Sequence, residues 1–238
     1  MRFKNHDYAE FYDRQQTEAG YPGKLLAPVI EALKGFNSVI DIGAGTGFFT
    51  IPLLESGHRV TVVEPASEMS DIILRKCPPG KREKLSVIND LWENWTGEKH
   101  DAAICIHSLY SMNNSRNAIE LIHRNSEKRI IIVRESSEMK TLTGMTRAKL
   151  GIELSRDYNP EIVSALKELD VPFTVKNIME QRPHRVIDPD RETGSVIYHL
   201  RLDESYKNRV RNIINELCSK DSRGIYFNAV YSDNIYLF

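Results

Sequence analysis

Val39-Ile40-Asp41-Ile42-Gly43-Ala44-Gly45-Thr46-Gly47-Phe48-Phe49 is the stretch on which the reading of this 238-residue chain turns. A short apolar run enters three glycines at alternate positions and leaves into a helix-forming segment. Glycine allows a tight turn and lets a ligand approach the backbone closely. The helix that follows offers free N–H groups and the positive end of its dipole. Two ligand classes use this architecture. The dinucleotide fingerprint G-x-G-x-x-G would require glycine at 43, 45 and 48, yet Phe48 stands there and the third glycine comes one place early. Asp41, two residues before the first glycine, is a poor neighbour for a pyrophosphate and a good one for a cationic ligand. Its plainer role is to cap the turn or the following helix.

Outward from this turn, short apolar runs alternate with amphipathic ones, the pattern of βαβ units and a parallel sheet. Strands are expected at 38–42, 59–64, 85–89, 101–107 and 129–135. The first, fourth and fifth are continuous apolar runs, as in strands covered on both faces. Helices are expected over 25–33, over 47–56 with Gly57 as its C-cap, after Pro65, and over 116–125. Pro52 should kink or delay the second of these. Residues 136–172 read as helical, broken near Asp157-Tyr158-Asn159-Pro160, and are expected to form a cap over the carboxyl edge of the sheet. A strand at 173–181, a 3.6-period helix from Tyr206 to Leu217, and a β-rich end at 225–238 split by Ser232-Asp233-Asn234 complete the expectation.

The strand ends carry suitable chemistry. Glu64 ends the second strand, where a carboxylate can accept two ribose hydroxyl protons. Asn89-Asp90-Leu91-Trp92 ends the third, with Asp90 placed to accept from an adenine amino group. His107-Ser108-Leu109-Tyr110 ends the fourth. Asp41 suits a cationic ligand, such as one with the amino group and sulfonium of S-adenosylmethionine.

On these residues the chain resembles the class I (Rossmann-like) S-adenosylmethionine-dependent methyltransferases. The matching segments are Asp41-Ile42-Gly43-Ala44-Gly45-Thr46-Gly47, Glu64-Pro65-Ala66-Ser67-Glu68-Met69 and Asp90-Leu91-Trp92. The likeness spans roughly residues 20–135 and, more loosely, the last two strands. The resemblance implies an α/β, doubly wound, mostly parallel seven-stranded sheet whose last strand is antiparallel, in a single domain over 1–238. Residues 1–24 are then an N-terminal lid and 136–172 a helical cap. It also implies a cofactor site of Asp41, Gly43, Ala44, Gly45, Glu64, Pro65, Met69, Asp90, Leu91 and His107. Gly43 and Gly45 would lie under the methionine moiety, Glu64 on the ribose and Asp90-Leu91 at the adenine.

The resemblance does not name an acceptor. No Asn-Pro-Pro-Tyr-like segment follows the fourth strand and no Pro-Cys pair occurs, which tilts the reading towards a small molecule. The rivals are a methyltransferase acting on RNA or protein, a dehydrogenase, and a module that holds the cofactor without transferring methyl. No catalytic residue is assigned. His107 is either a general base or a hydrogen-bonded structural histidine, and methyl transfer to a good nucleophile needs chiefly proximity and alignment. Tyr8, Phe11, Tyr12 and Tyr21 either close over the ligand or pack the first helix on the domain. Trp92 and Trp95 either line an adenine pocket or pack.

Composition sets the outer bounds. With 41% hydrophobic and 27% charged residues the chain has the balance of a globular protein with a core. Lys plus Arg number 32 against 33 Asp plus Glu, a net charge of −1, unlike a dedicated nucleic-acid binder. The basic stretches Lys81-Arg82-Glu83-Lys84 and Lys207-Asn208-Arg209-Val210-Arg211 contain or adjoin acids and read as solvated faces. Three cysteines (Cys77, Cys105 and Cys218) without C-x-x-C spacing point to free thiols and a reducing compartment. The first residues form no signal peptide, no apolar run is long enough to span a membrane, and the histidines lack metal-ligand spacing. A cytoplasmic protein without a metal is expected.

Overall fold

The structure, a computed structural model, describes residues 5–135, 140–153 and 156–238. The expected lid and cap segments therefore fall partly outside the described residues, at 1–4, 136–139 and 154–155.

Among the described residues the parallel strands are β1 (Ser38–Ile42), β2 (Arg59–Val63), β3 (Leu85–Ile88), β4 (His100–Ile106) and β5 (Ser126–Arg134). They are joined by β6 (Thr174–Arg185), β7 (Ser219–Asp221) and β8 (Gly224–Leu237). The sheet runs β3-β2-β1-β4-β5-β8-β6, with β8 antiparallel to both its neighbours and the three-residue β7 paired only to β8. The seven-stranded path and the reversed last strand are as the sequence implied. The short β7 hairpin is an addition to it.

The apolar runs explain why the sheet is covered twice. Val39 of β1, Ala102, Ile104 and Ile106 of β4, and Ile130 and Ile132 of β5 face one apolar cluster. Ile40 and Ile42, Ala103 and Cys105, and Ile131 and Val133 face the other. Side chains alternate across a strand, so a strand buried on both faces must be apolar at every position. The first cluster is closed by α2 (Leu26–Ala32) and α3 (Thr50–Glu55), and the second by α5 (Ser115–Asn125) and α7 (Asn159–Glu168). Each fully buried Ile or Leu here contributes about 2 kcal/mol by burial.

Four expectations are corrected. The helix expected over 47–56 begins only at Thr50, because Gly47 has φ +85° and Pro52 fits only the first turn, where its missing N–H has no intrahelical partner anyway. The break expected at Ser232-Asp233-Asn234 is absent. β8 runs straight through, since Asp233 is bound by Arg134, Ser232 by Asn177, and Asn234 by Glu135 and Asn159. The helical segment expected over 136–172 divides. α7 packs on α5 along the flank of the sheet, while α6 (Leu142–Leu150) joins α8 (Pro189–Leu200) and α9 (Lys207–Leu217) in a separate apolar cluster. Finally, α8 had no counterpart in the sequence reading.

Strand registers show what supports that cluster. At the carboxyl end of β5, Arg134 pairs with Asp233, and Asp233 pairs with Ile178. Beyond this level β6 and β8 continue as a ribbon to the Arg185–Tyr226 pair, with Lys140 bridging to Val230 and β7 pairing at its tip. The ribbon rises past the carboxyl edge of the parallel strands, and Phe227 and Ala229 on it pack with α6, α8 and α9. No helix among the described residues is long and apolar enough to cross a membrane.

Candidate functional site

The glycine turn opens into a cavity of about 290 Å³ at the carboxyl edge of the sheet. Its lining includes Asp41, Gly43, Ala44, Gly45, Glu64, Pro65, Met69, Leu91 and His107. Four strand ends and the lid segment thus converge on one space, where ligands of open α/β sheets bind.

The turn is held from below and left open above. Gly43 has φ +69°, and a Cβ there would run into the side chain of Ser108, which itself donates to Ile42 O at 2.5 Å. Gly45 has φ +58°, and a Cβ there would meet nothing within 4 Å. One glycine is needed for packing and the other keeps the cavity clear.

Glu64 is 7% exposed. Its Oε2 accepts from Gly45 N at 2.9 Å and its Oε1 from Ala66 N at 3.0 Å. Burial raises its pKa and the two backbone donors oppose the rise. A carboxylate has about four acceptor positions, so each oxygen keeps one lone pair towards the cavity. Asp41, 3% exposed, accepts from Thr50 Oγ1 at 2.6 Å. Burial pushes its pKa up to about 7, partly offset by Thr50 and reinforced by the nearby Glu64. A cation placed beside it would favour the ionised form.

His107 turns at the end of β4 with φ +56° while its N–H donates to Ile132 O at 3.0 Å. Its ring lies 6.2 Å from Tyr110 and 6.3 Å from Tyr21. Nε2 is 3.6 Å from Asp233 Oδ1, beyond hydrogen-bond reach. Burial first, then the charges of Arg134 and Arg182, hold its pKa well below the usual histidine range, so the ring is neutral at pH 7.

Asp90 stands apart from this group. It is exposed and outside the cavity lining, with Oδ1 accepting from Leu91 N and Asn94 Nδ2, both at 2.7 Å. Trp92 is 3% exposed, donates Nε1 to Ala118 O at 3.1 Å and stacks on Trp95. It is part of the core under the third strand end.

The mouth is closed by chain from both ends of the sequence. Tyr12 of α1 (His6–Glu18), Tyr21 after it, and Tyr198 of α8 all line the cavity. Helix α1 is tied to α4 (Ser67–Lys76) by Arg75–Glu10 and Lys76–Asp13 pairs. On its other side Gln15 donates to Glu192 Oε2 at 2.6 Å, and His184 Nε2 lies 3.0 Å from the same oxygen.

A family profile described as methyltransferase domain matches residues 8–147. The chain belongs to the methyltransferase domain family. No curated protein matches it. Solved structures with the same fold include an Anabaena variabilis protein described as a methyltransferase from an antibiotic biosynthesis pathway. It has 15% identity and a TM-score of 0.62 over 94% of this chain and 99% of that one. An S-adenosylmethionine-dependent methyltransferase from Thiobacillus denitrificans, in complex with S-adenosyl-L-homocysteine, has 16% identity and a TM-score of 0.55 over 96% and 97%. Magnesium protoporphyrin IX methyltransferase from Synechocystis, also with bound S-adenosylhomocysteine, has 16% identity and a TM-score of 0.52 over 94% and 83%. At such identity the likeness establishes the fold that the sequence implied.

In this methyltransferase the sequence reading missed Thr50, Tyr198, Arg134, Arg182 and Asp233. Tyr198 was within reach. Asp188 accepts from Asp190 N and Arg191 N with Pro189 at the first helical position, a helix-start signature written in Asp188-Pro189. The arginines carried no local signal, because only the ribbon register brings position 182 near position 134.

Proposed function

We propose that this chain transfers the methyl group of S-adenosylmethionine, the donor its family uses, to a small-molecule acceptor. The observation that carries the reading is one cavity in which the Gly45 backbone lies open and Glu64 keeps a lone pair on each oxygen. The residues present fit the group. Glu64 would hold the ribose hydroxyls and Asp41 the amino end. Leu91, Met69 and Pro65 would pack the adenine. Gly43, Ala44 and Gly45 would give the methionine portion close access to backbone. When bound, the donor supplies an electrophilic methyl carbon on a sulfonium sulfur.

The chain's own contribution is placement. His107 and the Tyr12, Tyr21 and Tyr198 rings exclude water and bound the space from which an acceptor lone pair must approach in line with the S–C bond. A neutral His107 can also take an acceptor proton, although a good nucleophile needs no base. A mouth bounded by three tyrosines supports a small acceptor over a polymer, as does the near-neutral charge of the chain.

The test is calorimetric titration of the purified protein with S-adenosylhomocysteine, with NAD as control. One-to-one binding of the first alone is expected. Binding of NAD instead, or of neither, would remove the donor assignment.

A further inference from the structure

Above the carboxyl edge of the sheet, one face of the ribbon stacks guanidinium groups and rings in alternation. Arg134 lies over the Tyr231 ring at 4.9 Å. Arg182 lies over the same ring at 4.3 Å and over Tyr21 at 5.3 Å. Stacking holds a guanidinium plane while leaving its in-plane N–H groups for other partners.

The two arginines differ in what those N–H groups do. Arg134 directs Nη1 to both oxygens of Asp233, at 2.8 and 2.9 Å. Arg182 is 8% exposed, and its Nε and Nη1 have no hydrogen-bond partner. The carboxylate facing it, Glu180, stands 3.9 Å from Nη1, with both oxygens accepting from Lys24 N at 3.2 Å. A buried cation with orphaned donors is costly unless something else binds it.

We propose that the acceptor is a small aromatic carboxylate, its carboxylate received by Arg182 and Arg134 beside His107 and its ring among Tyr12, Tyr21 and Tyr198. This rests on the donor reading above, since it is the donor cavity that these groups adjoin. Tyr21 joins the two spaces, lining the cavity on one side and stacking on Arg182. The Arg134 side chain is 25% exposed, and the unpartnered Arg182 donors lie buried beneath it. The field of both arginines reaches the cavity wall, where it lowers the proton affinity of His107 after burial has done so. A cationic acceptor would meet two guanidinium groups there. Asp233 and Glu180 already offset part of the charge, so a monoanion suits the place better than a dianion.

Protein saturated with S-adenosylhomocysteine is titrated calorimetrically with benzoate and, separately, with benzamide, which keeps the ring and loses the charge. Benzoate is expected to bind about tenfold or more tightly, the scale of a charge-assisted contact, and to weaken with added salt. Arg182→Gln and Arg134→Gln are expected to bring the two ligands to within about threefold of each other, with S-adenosylhomocysteine binding in the same sample as the control for fold. The wild-type comparison stands without either variant. If benzoate and benzamide bind alike, or neither binds to protein that holds S-adenosylhomocysteine, the carboxylate subsite is wrong and the donor site survives. If S-adenosylhomocysteine itself does not bind, both readings fall together.

Discussion

Thr50 Oγ1 donates to Asp41 Oδ2 at 2.6 Å, a hydrogen bond to a carboxyl group whose pKa burial has carried to about 7. In the unfolded chain the same group ionises near pH 3.9. Between those values the folded protein keeps a proton the unfolded chain has lost, so stability falls as pH rises from about 4 to about 7 and is level above. Asp41→Asn removes this dependence. Its melting temperature relative to wild type is expected to climb between pH 5 and pH 8, with ~3 kcal/mol as the upper bound of the gain over that range. A constant difference across that range would mean that Asp41 does not titrate there.

The same carboxyl group should make donor-site affinity depend on pH. A cationic amino group beside Asp41 favours its ionised form, so S-adenosylhomocysteine binding is expected to weaken as pH drops from 8 to 6. The limit is about tenfold per pH unit below the titration point. Asp41→Asn should bind more weakly at pH 8 and show a flat profile. Titrations at three pH values decide it, and a sloping profile in the variant would assign the dependence to another group.

Glu64→Gln keeps one carbonyl oxygen for the two backbone N–H groups of Gly45 and Ala66 and replaces the other with a donor. Affinity for S-adenosylhomocysteine is expected to fall by about tenfold to a hundredfold, the range of one or two charged hydrogen bonds. Unchanged affinity would take Glu64 off the ribose.

The two glycines separate binding from folding. Gly45→Asp places a side chain in open cavity space and should abolish S-adenosylhomocysteine binding, with about 1–2 kcal/mol lost to its left-handed backbone. Gly43→Ala adds a collision with Ser108 to the same backbone penalty and should cost about 2–4 kcal/mol in urea unfolding. Retained binding in Gly45→Asp would move the site elsewhere.

Trp92→Phe removes the Nε1 donor from Ala118 O and part of a buried ring. It should destabilise the protein by about 1–3 kcal/mol and leave S-adenosylhomocysteine affinity unchanged. A selective loss of binding would return Trp92 to the adenine pocket.

The parallel half of the fold was legible because its signals are local. Ile130-Ile131-Ile132-Val133 can only be a strand covered twice, and Gly43, Gly45 and Gly47 occur at the one turn that needs them. That Asp41, Gly45 and Glu64 line one cavity was legible for the same reason, since each stands at or just after a strand end. Asp90 was placed by that logic too, but its carboxylate bonds to the turn it starts, at Leu91 N and Asn94 Nδ2. The surroundings of Arg134, Arg182 and Asp233 are written in long-range register. Ser232-Asp233-Asn234 has the composition of a turn, and only the partners Arg134, Asn177 and Asn159 make it mid-strand. Tyr198 reaches the mouth from a helix more than 180 residues along the chain from Tyr12.

The ribbon of β6 and β8 has a mechanical consequence. Its seven residue pairs above the Asp233–Ile178 level span ~23 Å, held by β5 at the root, by Lys140 on Val230 part-way along and by β7 at the tip. The helix carrying Tyr198 begins four residues past the ribbon's tip. The cavity mouth that Tyr198 lines is therefore set by strand pairing that stands outside the parallel sheet.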